Sequence, residues 1–336
     1  MNILIVSQYF WPENFRINDF AKGLVEKGHS VSVLTGFPNY PDGKYFKGYS
    51  LFGPRSQFYN GVRVFRALLI PRGDGSGLRL FLNYVSFALF ASARALFLAT
   101  NRFDAIFVHE PSPITVGIPA IVIKKLRKTP IIFWVLDIWP ESVSAAGNLH
   151  SRFILKMILP IVRFIYKYSD RILVSSRAFI PSIVDKGISQ EKVSYFPQWA
   201  ESIFTPISEL DNEYKNLLPN GFLVMFAGNI GESQDFKSIL SAAELTSDYN
   251  DIHWVILGGG RKEKWVRGQV VSRGLQKTFH LLGKFQLEAM PKFYAAADVM
   301  LISLKKADIF SLTIPAKIQS YLACGKPIVS MMDGEG

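Results

Sequence analysis

Short apolar runs bounded by turn residues alternate with stretches of helical spacing along the first half of the chain. "NILIVSQYF" predicts a first strand, Ile17 to Lys27 a helix, and "GHSVSVLTG" turns at Gly28 into a second strand. "VRVFRALLIP" predicts a further extended run, followed by the "RGDGSG" turn and a long helical stretch from Leu78 to Thr100. "FDAIFVHE" and "PIIFWVLDIW" are apolar throughout, as central parallel strands covered on both faces are, with Pro119 to Arg127 as the crossover between them. "DRILVSSRAF" repeats the form and "KVSYFPQW" ends this half.

"PQWAESIFTPISELDNEY" then reads as a linker, with two prolines and no sustained period. After it the rhythm restarts: "FLVMFAGNIG", a helix through Ile239 to Leu245, "IHWVILGGG", another helix, "TFHLLGKF", a helix through Met290 to Ala297, "VMLISL", and a last helix leading to "GKPIVSM". The expected fold class is α/β, two doubly wound domains in tandem over residues 1–200 and 201–336. The second stops at "DGEG" just after a strand, where another crossover is expected, so the pattern predicts an incomplete, C-terminally truncated domain.

Charge and composition narrow the partners. Lys plus Arg exceed Asp plus Glu by 38 to 27, and the net charge of +11 favours nucleic acid, an acidic lipid surface or phosphorylated small molecules. The positive residues are dispersed and show no helix-turn-helix, finger or aromatic RNA-binding motif, which argues against nucleic acid. Cys324 is the single cysteine, so an internal disulfide framework and a cysteine-based metal cluster are excluded. The opening "MNILIVSQYFWP" lacks the basic start and cleavage site of a signal peptide. No run reaches the roughly 18 to 20 unbroken apolar residues of a spanning helix. The nearest are Leu78 to Thr100, interrupted by Arg79, Asn83 and Arg94, and "FILKMILPIVRFIYKYSDRILV", with Lys156, Pro160, Arg163 and Lys167. Two readings stand for these: buried amphipathic helices, or a basic and aromatic surface resting on a bilayer.

The candidate chemistry collects at strand ends. "VMFAGNIGESQDF" stops an apolar run at Gly228, passes Asn229 and Gly231 and leads into an expected helix, a form that can aim backbone N–H groups at an anion or merely turn a corner. Gly258, Gly259 and Gly260 end the next run, but neither turn has the dinucleotide or P-loop spacing. "HEPSP" brings His109 and Glu110 to one strand end and "DIWPES" brings Asp137, Trp139 and Glu141 to another, where they could hold hydroxyls or move protons, or simply cap the next helices. His29 reads as a turn residue, His253 and His280 as packing or surface residues, and the five histidines lack metal-ligand spacing. Lys305 and Lys306 could solvate a strand end, and Lys317 follows "FSLTIPA", where it could meet a phosphate.

These segments together carry a resemblance. "QYFWPENFRINDFAKGLVEKGHSVSVLTGFPNYPDG", "HEPSPITVGIPA", "DIWPESV", "FAGNIGESQDF", "LGGG", "LLGKF", "MPKFYAAADVMLISL" and "IFSLTIPAKIQSYLACGKPIVSMMDGEG" run in the order seen in retaining GT-B glycosyltransferases of glycosyltransferase family 4. Within that family the chain resembles bacterial enzymes of capsule, O-antigen and colanic acid assembly, including N-acetyl-L-fucosamine transferases. The resemblance implies two Rossmann-like domains facing across a cleft and metal-independent transfer that retains the anomeric configuration. It needs no cofactor beyond the sugar-nucleotide substrate. The second domain would hold a UDP-sugar, with Gly228, Asn229 and Gly231 toward the diphosphate, Gly258 to Gly260 toward the nucleoside, and Ser311, Leu312, Thr313 and Lys317 around the donor sugar and phosphates. The first would meet a lipid-linked glycan acceptor at the anionic inner face of the bacterial cytoplasmic membrane through the Pro12 to Arg16 loop, His109 and Asp137.

Two departures from the family pattern stand out. Glu232 sits where an arginine is common, and the family's paired glutamates would fall near Leu312 and Ser320, so that carboxylate role does not carry over. Transfer of an N-acetylated deoxysugar is the expected reaction. Another donor base, a soluble acceptor, UDP-sugar 2-epimerisation and an inactive sugar-nucleotide binder stay open.

Overall fold

Strand β1 (Asn2–Ser7) is the line from which the first half of the chain is laid out. In the computed structural model, which describes residues 1–143, 152–208 and 212–336, β1 pairs in parallel with β2 (Ser30–Gly36) on one side and β5 (Ala105–Glu110) on the other. The chain divides into two units, Met1–Pro197 and Gln198–Gly336.

The first unit is an eight-stranded sheet in the order β3 (Ser56–Tyr59), β4 (Val62–Ala67), β2, β1, β5, β6 (Ile131–Val135), β7 (Arg171–Val174), β8 (Val193–Tyr195). Its helices are α1 (Ile17–Glu26), α2 (Gly77–Leu98), α3 (Gly117–Arg127), α4 (Arg152–Tyr168) and α5 (Phe179–Asp185). Every residue of β5 is buried, as the unbroken apolar run demands of a strand covered on both faces. Among the described residues only β3 runs antiparallel, joined to β4 by Asn60 and Gly61, the residue pair that suits a two-residue hairpin turn. Strand β4 stops at Ala67 instead of continuing through "LLIP", because Ile70 is taken up by α2: its amide donates to Ser86 Oγ at 2.8 Å and its carbonyl accepts from Asn83 Nδ2 at 2.6 Å.

The second unit is a parallel sheet in the order β11 (Phe279–Gly283), β10 (Ile252–Leu257), β9 (Phe222–Ala227), β12 (Val299–Ser303), β13 (Ile328–Met331). Helices α6 (Asn212–Lys215), α7 (Phe236–Leu245), α8 (Glu263–Ser272), α9 (Met290–Ala296), α10 (Asp308–Ser311) and α11 (Lys317–Ala323) accompany it. The period of two along β9 divides its side chains between two cores. Val224 and Phe226 join Ile239 and Leu240 of α7, whereas Met225 and Ala227 join Phe293 of α9 and Tyr321 of α11. Residues 209–211, within the expected linker, lie outside the described residues.

Both sheets are therefore Rossmann-like, and the order of the parallel strands in each reverses once, between β1 and β5 and between β9 and β12. Loops part at such a reversal, so the carboxyl ends of the strands beside it are where a doubly wound sheet takes ligands. The helix expected through Ile239 to Leu245 is α7, and a single 3-10 turn, Glu232–Gln234, and Asp235 at φ 43° lie between it and Gly231.

Helix α11 is fixed to the end of β9 by one side chain. The buried Tyr321 hydroxyl accepts from the Ala227 amide at 3.0 Å and donates to the Ala227 carbonyl at 3.1 Å. Tyr321→Phe leaves both backbone groups without this partner, and urea titration should show a stability loss of about 1–3 kcal/mol; an unchanged midpoint would contradict that account.

Candidate functional site

At the strand-order reversal of the second unit, two glycine turns lie backbone on backbone. The Gly228 amide donates to Leu257 at 2.8 Å and the Gly258 amide to Gly283 at 2.7 Å, so each strand end is bonded to its neighbour. Gly258 has φ +135°, and a Cβ there would fall 1.9 Å from the Gly228 carbonyl oxygen. Only glycine permits that approach. The Ile230 amide donates to Gly259 at 3.0 Å, and a Cβ on Gly260 would meet the Ile230 carbonyl oxygen at 2.5 Å and Asn229 Oδ1 at 2.6 Å. Gly258, Gly259 and Gly260 thus brace the Gly228–Gly231 turn. With the Gly228 and Ile230 amides used inside the fold, those of Asn229 and Gly231 are the turn's candidates for an outside acceptor.

Lys317, the first residue of α11, sends its ammonium to this turn. Nζ donates to Gln234 Oε1 at 2.6 Å, lies 3.7 Å from the centre of the Phe226 ring, and would be 3.0 Å from a Cβ on Gly228. The ring face and the amide oxygen stabilise the cation. Burial acts more strongly and lowers its pKa to about 7. Beside it Glu232 pairs with Lys262 at 2.7 Å and with Lys305. Hydrogen bonds from Lys262 and Lys305 hold the carboxylate down to about 2. The Lys305 amide also donates to Ser233 at 2.9 Å, tying the end of β12 to the same turn.

The residues ahead of α11 are occupied locally. The Ser311 hydroxyl donates to Asp308 at 2.7 Å and the Thr313 hydroxyl to Ile309 at 3.0 Å, and Leu312 caps α10. The structure thus groups Gly228, Gly231, Gly258–Gly260 and Lys317 around one turn, and gives the Ser311 and Thr313 hydroxyls partners on α10.

In the first unit, His109 ends β5 at the strand-order reversal, next to Ser7 of β1. Ser7 Oγ donates to the Tyr9 carbonyl at 2.6 Å and lies 2.9 Å from His109 Nδ1. A hydroxyl has one proton to give, so Nδ1 must carry the ring proton and donate to Ser7. Burial lowers the His109 pKa to about 3, so the ring stays neutral. Asp137, two residues past β6, is raised to about 7 by burial, against the opposing pull of the Ser142 and Trp139 side chains. Glu110 is buried and pushed well above the carboxylate range by desolvation and then by Asp137. The Leu136 and Asp137 amides oppose that rise from the end of β6. In the Pro12–Arg16 loop, Glu13 is buried and its Oε1 accepts the Asn39 and Tyr40 amides at 2.8 and 2.7 Å.

Two arrangements escaped the sequence pattern. Gln234 and the Glu232, Lys262, Lys305 cluster draw on segments far apart in the chain; the only local signal was a polar "ESQD" after the glycine turn. His253 and His280, expected as packing or surface residues, sit on adjacent strands with ring nitrogens 3.1 Å apart.

Residues 14–199 match the family described as glycosyl transferase 4-like domain, and residues 221–336 match glycosyl transferases group 1. The chain belongs to this glycosyltransferase family, and its two Rossmann-like domains are those of the GT-B fold. It is 24% identical to WcaI of Escherichia coli (strain K12), a glycosyl transferase named for colanic acid biosynthesis, over 97% of this chain and 82% of that protein. It is also 26% identical to TuaH of Bacillus subtilis (strain 168), named for teichuronic acid biosynthesis, over 59% of this chain and 49% of that one. Among solved structures, the Anabaena protein HepE in complex with UDP-glucose superposes with a TM-score of 0.68 at 14% identity, over 99% of this chain and 81% of that one. Sucrose-phosphate synthase from Thermosynechococcus elongatus reaches 0.73 at 15% identity, with the same coverage.

The Lys317 pKa sets a pH signature. Because the folded value of about 7 lies below the ordinary 10.5, the unfolded chain binds more protons between the two, and stability rises with pH across that window. Lys317→Met removes this slope. In urea titrations it should be more stable than the wild type below pH 7, with the difference fading as pH approaches 10.5. A pH-independent difference would place the ammonium in a better-solvated setting.

Proposed function

We propose that the protein is a retaining glycosyltransferase that moves a sugar from a UDP-sugar to a lipid-diphosphate-linked glycan acceptor in bacterial surface-polysaccharide synthesis. In its narrowest form the transferred group is an N-acetylated deoxysugar. The observation that carries the reading is the Lys317 ammonium beneath Gly228 at the strand-order reversal. The UDP-glucose bound by HepE and the surface polymers for which WcaI and TuaH are named support the donor and the pathway class.

The chemistry follows from charge. As the glycosidic bond to the diphosphate breaks, negative charge grows on the leaving phosphate and positive charge on the anomeric carbon, and groups fixed where that charge develops lower the barrier. In this reading the Asn229 and Gly231 amides and Lys317 meet the diphosphate. Gly258–Gly260 lie toward the nucleoside, and Ser311, Leu312 and Thr313 lie toward the donor sugar. Lys262 and Lys305 leave the turn with a net positive charge after Glu232 is counted. On the acceptor-side domain, Asp137, poised near 7, takes the proton of the attacking hydroxyl, and neutral His109 orients the acceptor through its free Nε2.

Full-length protein incubated with UDP-, GDP- and dTDP-sugars and membrane-extracted acceptor should release UDP and yield a product with the donor's anomeric configuration by NMR. No nucleotide release from any donor by folded protein refutes transfer. Donor conversion without acceptor assigns an epimerase, and UDP binding without turnover assigns an inactive binder.

The diphosphate should also restore the Lys317 proton. At pH 8 free Lys317 is mostly neutral, so UDP binding should take up close to one proton per site, seen by calorimetry as a binding enthalpy that varies with buffer ionisation enthalpy. Lys317→Met should abolish that uptake and weaken UDP by about ten- to hundredfold. Equal enthalpies in all buffers would exclude Lys317 as the phosphate ligand.

A further inference from the structure

We propose that Glu232 is a built-in competitor of the donor's diphosphate: its carboxylate bridges Lys262 and Lys305 as a phosphate group would, and the ligand binds by taking both lysines from it. The carboxylate divides its two oxygens between the two cations, Oε2 to Lys262 Nζ at 2.7 Å and Oε1 to Lys305 Nζ. A phosphate presents the same bridge with a third oxygen to spare. Gln234 repeats the arrangement without charge, its Oε1 accepting from Lys317 Nζ at 2.6 Å. The single 3-10 turn Glu232–Gln234 therefore holds three ammoniums, which arrive from the turn ahead of α8, the end of β12 and the start of α11. Three cations gathered by two side chains of one turn form a site for a polyanion, and the turn's own oxygens stand where that ligand's would.

The exchange needs side chains to move and leaves the backbone alone. The Lys305 amide donates to the Ser233 carbonyl at 2.9 Å and the Lys262 amide to the Ile230 carbonyl at 3.0 Å, so both lysines stay anchored to the turn whichever way their ammoniums point. The Glu232 side chain is 49% exposed, and those of Lys262 and Lys305 are 40% and 37% exposed. The carboxylate can thus swing into water without opening a core. Ion pairs as exposed as these are weak, and a ligand of higher charge displaces the acid readily. Hydrogen bonds from the two lysines hold the Glu232 pKa to about 2, so the carboxylate remains an ionised competitor across the neutral range.

Competition of this kind has a use. A ligand gains the lysines only if its charge and its oxygens outbid one carboxylate, which favours a diphosphate over a singly charged anion. The same carboxylate returns to the lysines as the ligand leaves, which loosens the spent nucleotide and speeds its departure.

The inference rests on the reading that the diphosphate lies at the Gly228 turn, so inorganic pyrophosphate, which involves no sugar transfer, is the first probe and UDP the second. In titration calorimetry at neutral pH, Glu232→Gln should bind both about tenfold more tightly than the wild type, the combined effect of two half-exposed ion pairs. Simple repulsion by the acid would also give a gain, and the lysines separate the two causes. With Lys262→Met and Lys305→Met in place, a competitor has nothing left to hold, and adding Glu232→Gln changes binding less than twofold. A mere repeller has then lost its neutralising partners, and the gain grows. A smaller gain in the double-lysine variant supports the proposal. An equal or larger gain there, no tightening in Glu232→Gln alone, or no pyrophosphate binding by either protein overturns it. Absence of sugar transfer with the Glu232→Gln gain intact would sink the transferase reading and leave the competitor standing.

Discussion

The second domain depends on one backbone contact, the seating of the Gly258 turn on the Gly228 carbonyl. Parallel strands fix their neighbours' ends at nearly the same height, so the turns leaving β9 and β10 must pass each other at contact distance. A side chain at Gly258 would force them apart. With the turns in contact, Ile230 bonds to Gly259 and Lys262 bonds back to Ile230, which fixes the course of the chain from Asn229 to Gln234. The Lys317 site follows, because Gln234 and Gly228, which flank the ammonium, are the two ends of that braced segment.

Both domains keep ionisable groups in poor solvation at the same topological place. Lys317 stands at the end of β9, and His109 and Glu110 at the end of β5, each beside a reversal of strand order. Burial shifts all three toward neutrality, the lysine downward, the imidazole downward and the carboxyl upward. A protein optimised only for stability would fill such positions with apolar side chains. Groups held this way gain more from a ligand's charge or hydroxyl than from the empty protein, and strongly perturbed ionisation marks a functional site for that reason.

The fold was legible where its physics is local. Unbroken apolar runs marked β1, β5, β6 and β9, and glycines marked the turns after β9 and β10, because burial on both faces and close backbone approach constrain residue type directly. Strand β3 was missed although Asn60–Gly61 announces its hairpin, since the parallel rhythm on either side dominated the reading. Of the candidate site, the sequence could point to Gly228, Gly258–Gly260 and Lys317. It could not place Gln234 against Lys317 across 83 residues, or Lys305 against Glu232 across 73. Those pairs exist because β12 lies beside β9 in the sheet, a fact of strand order and not of any local pattern.

Glu232 shows why family membership alone does not describe the site. An acid on this turn disfavours any anion beside it, since like charges repel most strongly where solvent is excluded. Lys262 arrives from the turn ahead of α8 and Lys305 from the end of β12, and together they outweigh the carboxylate. A single arginine would present a fixed planar fork, whereas two lysines sharing one carboxylate can each turn away from it without leaving the site uncharged. The acid then orders two cations beside the turn. It also keeps the local charge lower than that of a bare lysine pair, which limits the self-repulsion that a chain of net charge +11 must already bear.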